Sequence, residues 1–181
     1  MFTVNVKVKQ KHPEAMRELK KRLEQISRKR VVAGFPKGKL NNPHYEPEPG
    51  EPGPGPSIID VAIWNNFGIG VPRRDFMTPA SKAWQEYFAL MVEMASNALL
   101  TGKQDIDEFL DNMGIEGASF VSDAIVKLKR PPNAYVTIHG GLVKTKSGRI
   151  VKIEGKKKNK PLVDSGDLSK APVHEIRIKN K

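Results

Sequence analysis

Two long apolar stripes at helical spacing constrain this chain more than any other feature. Ala80, Trp84, Phe88, Met91, Ala95 and Leu99 recur every three or four residues, and Ala83, Tyr87 and Val92 widen the stripe. That spacing puts the side chains on one helix face, which needs a partner surface to bury them. Thr78-Pro79 reads as the helix start, with proline at the first helical position, where a missing N–H costs nothing. The second stripe follows Thr101-Gly102. Asp105 with Glu108 makes a start resembling a capping box, and Ile106, Phe109, Leu110 and Met113 form its first face. Phe120, Val121, Ala124, Ile125 and Leu128 resume that face, while Gly114 and Gly117 weaken the middle. The pattern predicts one helix, or two broken near Gly114, ended by Pro131-Pro132.

Shorter elements surround this helical centre. Phe2, Val4, Val6 and Val8 alternate with polar residues, which predicts a half-buried strand over 2–8. Met16, Leu19, Leu23 and Ile26 mark one face of a helix from Pro13 to about Arg28. Val31 to Phe35 reads as a short buried strand stopped by Pro36. Residues 41–56 hold 6 of the 14 prolines, which leaves few backbone donors for any ladder, so they read as a long exposed loop. Ser57 then caps a helix with Asp60 at its third position, Ile59, Ala62, Ile63 and Phe67 on its face, and Gly68 at its end. Residues 135–138 and 150–153 are both strand-like, and Lys146-Ser147-Gly148 is the candidate hairpin turn between them. Val173, Ile176 and Ile178 close the chain near a strand pattern, which can pair with the first strand. The fold class these elements predict is α+β: a small mixed or antiparallel sheet against two or three helices, in a single domain over 1–181. The loop at 41–56 and a basic extended segment at 139–160 project from it.

Composition limits the chemistry. There is no cysteine, which excludes disulfide scaffolds, thiol catalysis and cysteine-ligated zinc. No apolar run approaches the roughly 20 residues that cross a bilayer, and the alternating N-terminus is unlike a secretory signal. The formal net charge of +11 is unevenly spread. Residues 1–39 carry +9 and 129–181 carry +10, while 40–56 carry −3 and 57–128 carry −5. Two basic ends flanking an acidic middle suit contact between subunits of complementary charge, or a basic face toward nucleic acid, or simply a solvated surface.

His12, His44, His139 and His174 lie in four separate segments, without metal-ligand spacing. Gly34-Phe-Pro-Lys-Gly38-Lys39 falls short of a phosphate loop, with three residues between the glycines and Leu40 where a hydroxyl should bind magnesium. No serine stands in a nucleophile-elbow context. Asp164 and Asp167 flank Ser165-Gly166 as in a turn with an N-cap, not as paired catalytic carboxylates. The expectation is a protein without catalytic activity, metal or cofactor.

Three stretches, taken in order, resemble a known family. They are Val32-Ala-Gly-Phe-Pro-Lys-Gly38; Ile59-Asp-Val-Ala-Ile-Trp-Asn-Asn-Phe-Gly68 with Val71-Pro-Arg-Arg-Asp-Phe-Met77 and Pro79-Ala80; and Pro131-Pro-Asn-Ala134 with Thr137-Ile138 and Lys160-Pro-Leu-Val-Asp-Ser-Gly-Asp-Leu168. This set resembles the neck or tail-completion proteins of long-tailed bacteriophages, also described as virion morphogenesis or minor tail proteins. The chain departs from the usual pattern at Asn65-Asn66, where an acidic residue before Phe-Gly is common, and in a longer 139–159 link. The resemblance implies a small α+β structural subunit, assembled in the host cytoplasm and located in the virion at the head-tail junction. It implies a closed ring of this chain, six or twelve copies, that joins a connector or adaptor to a tail tube or tail terminator, with packaged DNA in its lumen as a further contact and no membrane.

Several residues carry the expected contacts. Arg73, Arg74 and Asp75 lie in a proline-fixed loop, where arginines can hold carboxylates by bidentate pairing; the alternative is an inter-helix connection whose Phe76 fills the core and whose arginines face water. Asp164, Asp167 and Leu168 form an apolar-flanked turn that can dock on a neighbour or act as a lid over the sheet. Lys144, Lys146, Arg149, Lys152, Lys156, Lys157, Lys158 and Lys160 form a basic tract for DNA or an acidic partner. The rival reading is a small basic nucleic-acid-binding protein, though the tract lacks interleaved aromatic residues.

Overall fold

The computed structural model describes residues 13–36, 56–145, 148–157, 159–163 and 166–179, and the fold is α+β. The predicted strand over 2–8 and nearly all of the 41–56 loop lie outside the described residues. Elements run α1 (Pro13–Arg28), β1 (Lys29–Gly34), α2 (Ile58–Phe67), α3 (Met77–Thr101), α4 (Ile106–Lys127) and α5 (Tyr135–His139). They continue with β2 (Gly141–Lys144), β3 (Ile150–Ile153), α6 (Asp167–Lys170) and β4 (Val173–Ile178).

Helix α4 organises the rest, because nine of its 22 residues are buried. The Asp105 carboxylate caps it, accepting from the backbone N–H of Asp107 at 2.8 Å and of Glu108 at 3.0 Å. The helix runs unbroken through Gly114 and Gly117. Both glycines mark close approach, not a helix end. A Cβ on Gly114 would stand 2.4 Å from the His174 ring, and one on Gly117 would stand 2.6 Å from Trp84 and 2.8 Å from Ala33. Glycine thus lets a sheet and a neighbouring helix reach the α4 backbone.

That sheet is the antiparallel pair β1–β4, with Val31 opposite Ile176 and Ala33 opposite His174. Opposite residues share a face, so one face presents all four to α4. Val31 and Ile176 pack on the cluster of Leu99, Ile106, Phe109, Leu110 and Met113. Ala33 and His174 lie over the two glycines. The described partner of the C-terminal strand is therefore residues 29–34.

A second cluster joins the other end of α4 to α2, α3 and α6. Ala62, Phe76, Ala80, Val121, Ile125 and Leu168 are its buried members, and Phe35, Val61 and Leu162 pack against it. Phe35 meets Phe76 edge-on, with centroids 6.1 Å apart.

Helix α1 has the expected bounds but no buried residue, and α3 buries only Ala80 and Leu99. Val92, expected in the α3 core stripe, is exposed. Helix α3 also starts earlier than the Thr78-Pro79 pattern predicts. Asp75 Oδ1 accepts from the Thr78 N–H at 3.0 Å, and Pro79 becomes the third helical residue.

Residues 135–138 are helical, not strand. The Thr137 and Ile138 N–H groups donate to the Ala134 carbonyl, and Gly140 at φ 78° ends the turn. The partner of β3 is instead β2, with Leu142 opposite Lys152 and Lys144 opposite Ile150. The Thr145 N–H donates to the Arg149 carbonyl at 2.8 Å and closes the hairpin loop.

Candidate functional site

The α2–α3 connection is organised by two adjacent amides at the end of α2. Ser57 and Asp60 cap the helix start reciprocally, which fixes its first turn. At its far end, buried Asn66 turns Oδ1 toward α3 and accepts from the backbone N–H of Phe76 at 3.2 Å and of Met77 at 3.0 Å. Asn65 donates through Nδ2 to the Val61 carbonyl, and its Oδ1 accepts from Arg74 Nη1 at 3.0 Å. Gly68 lets the chain reverse: it lies at φ 78°, and a Cβ there would stand 2.9 Å from the Arg73 Cβ.

The three neighbours Arg73, Arg74 and Asp75 do different work. Arg73 is exposed and pairs with Asp75 at 2.8 Å. Asp75 caps α3, and the Thr78 N–H followed by Arg73 holds its carboxyl below the usual range. Arg74 departs from the expectation of a solvated or partner-facing arginine. It is 9 % exposed, and its Nη2 reaches the Pro132 carbonyl at 3.4 Å and Asn133 Oδ1 at 3.3 Å. Burial lowers its pKa from the ordinary arginine value, but a guanidinium stays charged in proteins. Its Nε–H has no hydrogen-bond partner. Arg74 is thus a tie within the subunit, joining α2 to a segment 58 residues further on.

Asn133 extends the tie, since its N–H donates to Asn159 Oδ1 at 3.0 Å. Beside this junction lies a cleft of about 210 Å³, with Val61, Leu162 and Leu168 as apolar wall and Asn65, Asn133, Lys156, Lys160 and Asp167 as polar rim. Residues from the second and third stretches singled out in the sequence therefore meet here, and Phe35 of the first packs on the same core.

Leu168, expected at a partner contact, is instead 5 % exposed and belongs to the second cluster. It is drawn inward because α6 packs on α4 and α2. Asp167 is exposed in the first turn of α6. Asp164 lies outside the described residues, as do Lys146 and Lys158. Lys144, Arg149, Lys152, Lys156, Lys157 and Lys160 are all exposed.

Most described residues of the β2–β3 hairpin are exposed. Leu142 is 73 % and Ile150 65 % exposed, and Val151 and Ile153 are also on the surface. Helix α5 packs against the hairpin's first strand. A second uncovered apolar stretch, Phe67, Ile69 and Val71, follows the end of α2. His139 stacks on Tyr135 with centroids 4.3 Å apart, and His174 Nε2 lies 2.7 Å from Asp111. Among the described residues no group of three His, Asp or Glu side chains converges as a metal site.

Sequence reasoning missed Asn65, Asn66 and Asn133 as organising residues. A signal was present: amides directly before Phe67-Gly68 and after Pro131-Pro132 can accept donors at turns where carboxylates are absent. Comparisons of the chain with protein-family models, with characterised proteins and with solved structures return no match.

Proposed function

We propose that this chain is a structural virion subunit of a tailed phage, which assembles into a ring at the head-tail junction in a neck, tail-completion or tail-terminator role. The ring would contact a connector or adaptor on one side and a tail tube or terminator on the other. The reading starts from the ordered resemblance of residues 32–168. The observation that carries it is the uncovered apolar surface of the hairpin and of the α2 end. Leu142, Ile150 and Phe67 are each at least 65 % exposed in a chain with only twelve buried core hydrophobic residues among the described ones. A monomer gains nothing from such a surface, whereas a subunit buries it on assembly. The unlike charge of the acidic middle and basic ends suits a heterologous contact, the kind that closes rings. The test is joining of purified tails to filled heads with and without added protein. Joining that needs the protein supports the reading, and joining that ignores it refutes the reading.

The rival reading, a small basic nucleic-acid-binding protein, is favoured by the six exposed Lys and Arg side chains described between 144 and 160. It requires DNA binding by the isolated chain that weakens steeply with salt, as phosphate contacts release counterions.

A further inference from the structure

We propose that the charged face of the β2–β3 hairpin of one copy docks on the outer stripe of α3 of a second copy, head to tail. The proposal rests on the reading of the chain as an assembling subunit and names the two surfaces that meet. Residues opposite each other in an antiparallel ladder share a face. Leu142 with Lys152, and Lys144 with Ile150, therefore make one face, with aliphatic side chains on one diagonal and ammonium groups on the other. The opposite face holds Gly141, Val143, Val151 and Ile153, carries no charge, and has Gly141 beside Val136 of α5.

Helix α3 offers the complement. Glu86, Leu90, Glu93 and Met94 stand at helical spacing on one face. Leu90 is 54 % and Met94 70 % exposed, and both glutamates are exposed. Among the described residues, Lys144, Lys152, Glu86 and Glu93 have no side-chain partner within the chain. Each surface thus mixes two aliphatic groups with two unpartnered charges, of opposite sign on the two surfaces. The stripe from Glu86 to Met94 rises about 12 Å, and two strand pairs span about 7 Å, a difference that lysine stems cover.

Two features favour a second copy over DNA. The hairpin face has no aromatic side chain for base stacking, and docking on phosphate would leave Leu142 and Ile150 in water. A chain of net charge +11 also repels its own copies unless the contact joins unlike regions, as this one does. Because the surfaces differ, each copy can give its hairpin to one neighbour and its α3 to another.

The test reverses charge on each surface and follows mass by sedimentation velocity at low and high salt. Lys144→Glu with Lys152→Glu, and separately Glu86→Lys with Glu93→Lys, should each weaken self-association at least tenfold and leave the circular dichroism of the chain unchanged. Mixing the two variants one to one restores an attractive pair at every contact, so association should return. The milder Glu86→Gln with Glu93→Gln should weaken association and flatten its salt dependence. If wild-type protein assembles and either reversal leaves assembly intact, or the mixture stays apart, this contact is wrong and the assembly reading survives. Wild-type protein that stays monomeric throughout removes both.

Discussion

Arg74 Nη1 donates to the Asn65 side-chain oxygen at 3.0 Å, and the Arg74 backbone N–H donates to the Asn65 carbonyl at 2.7 Å. This double contact folds the α2–α3 connection back on the end of α2 and aims the guanidinium at Asn133. Arg74→Ala would leave two half-buried side-chain acceptors, on Asn65 and Asn133, and the Pro132 carbonyl without their donor, which should cost about 1–3 kcal/mol. Arg73→Ala removes an exposed pair, which contributes little in water, and should lie within about 0.5 kcal/mol of wild type. Urea midpoints of the two single variants check the contrast; equal midpoints would dismiss Arg74 as a structural tie.

Gly117→Ala sets two effects against each other. Alanine in a helix interior is favoured over glycine by about 1 kcal/mol. Here its Cβ would meet Trp84 at 2.6 Å and Ala33 at 2.8 Å, and such overpacking costs typically about 1–3 kcal/mol. The expected outcome is net destabilisation, read as a lower urea midpoint. Trp84→Ala should also destabilise, since it empties that contact and leaves the Met113 carbonyl without the indole donor at 2.9 Å. A Gly117→Ala variant more stable than wild type would show that the α3–α4–β1 contact is looser than described.

How much of this was legible in the sequence depended on where each residue finds its partner. The apolar stripes placed α1, α2 and α4 well, because helical spacing is a local property of the chain. Tyr135-Val-Thr-Ile138 carries three consecutive β-branched residues and still forms a helical turn, since no strand among the described residues pairs with it and the Ala134 carbonyl accepts two of its N–H groups. Strand propensity is largely a matter of pairing and packing context. Arg74 reads as a partner-facing or solvated loop arginine because its partner Asn133 lies 59 residues away. Leu168 reads as a surface turn for the same reason, since α2 and α4 bury it. Gly114 and Gly117 read as weak points in a helix that is either continuous or broken near Gly114, but their meaning depended on His174 and Trp84.

Acid should loosen the helix starts. Asp60, Asp75 and Asp105 all have pKa values below the ordinary carboxylate value. The causes are hydrogen bonds from Ser57 to Asp60, from the Thr78 N–H to Asp75, and from the Glu108 and Asp107 N–H groups to Asp105. A carboxyl whose folded pKa is depressed contributes stability that is present above its unfolded value, about 3.9, and lost as pH falls through the folded value. Stability should therefore fall as pH drops below about 4. Asp75→Asn, which keeps an acceptor for Thr78, should show a shallower acid loss than wild type. Identical acid profiles for the two proteins would remove Asp75 from the account.

The hairpin should matter to assembly more than to folding. Leu142→Ser with Ile150→Ser changes two side chains that are already mostly in water, so the thermal midpoint should move little. Self-association should weaken markedly. A large fall in thermal midpoint would mean that the hairpin is part of the core of the free subunit.

The central claim, a chain that assembles into a closed ring, is tested most directly by native mass spectrometry of the purified protein over a range of concentrations at low salt. The account predicts one discrete oligomer, a whole multiple of the 20.2 kDa chain, that gives way to monomer as salt rises. A monomer mass at every concentration, or an open-ended series of masses with no preferred size, would contradict it.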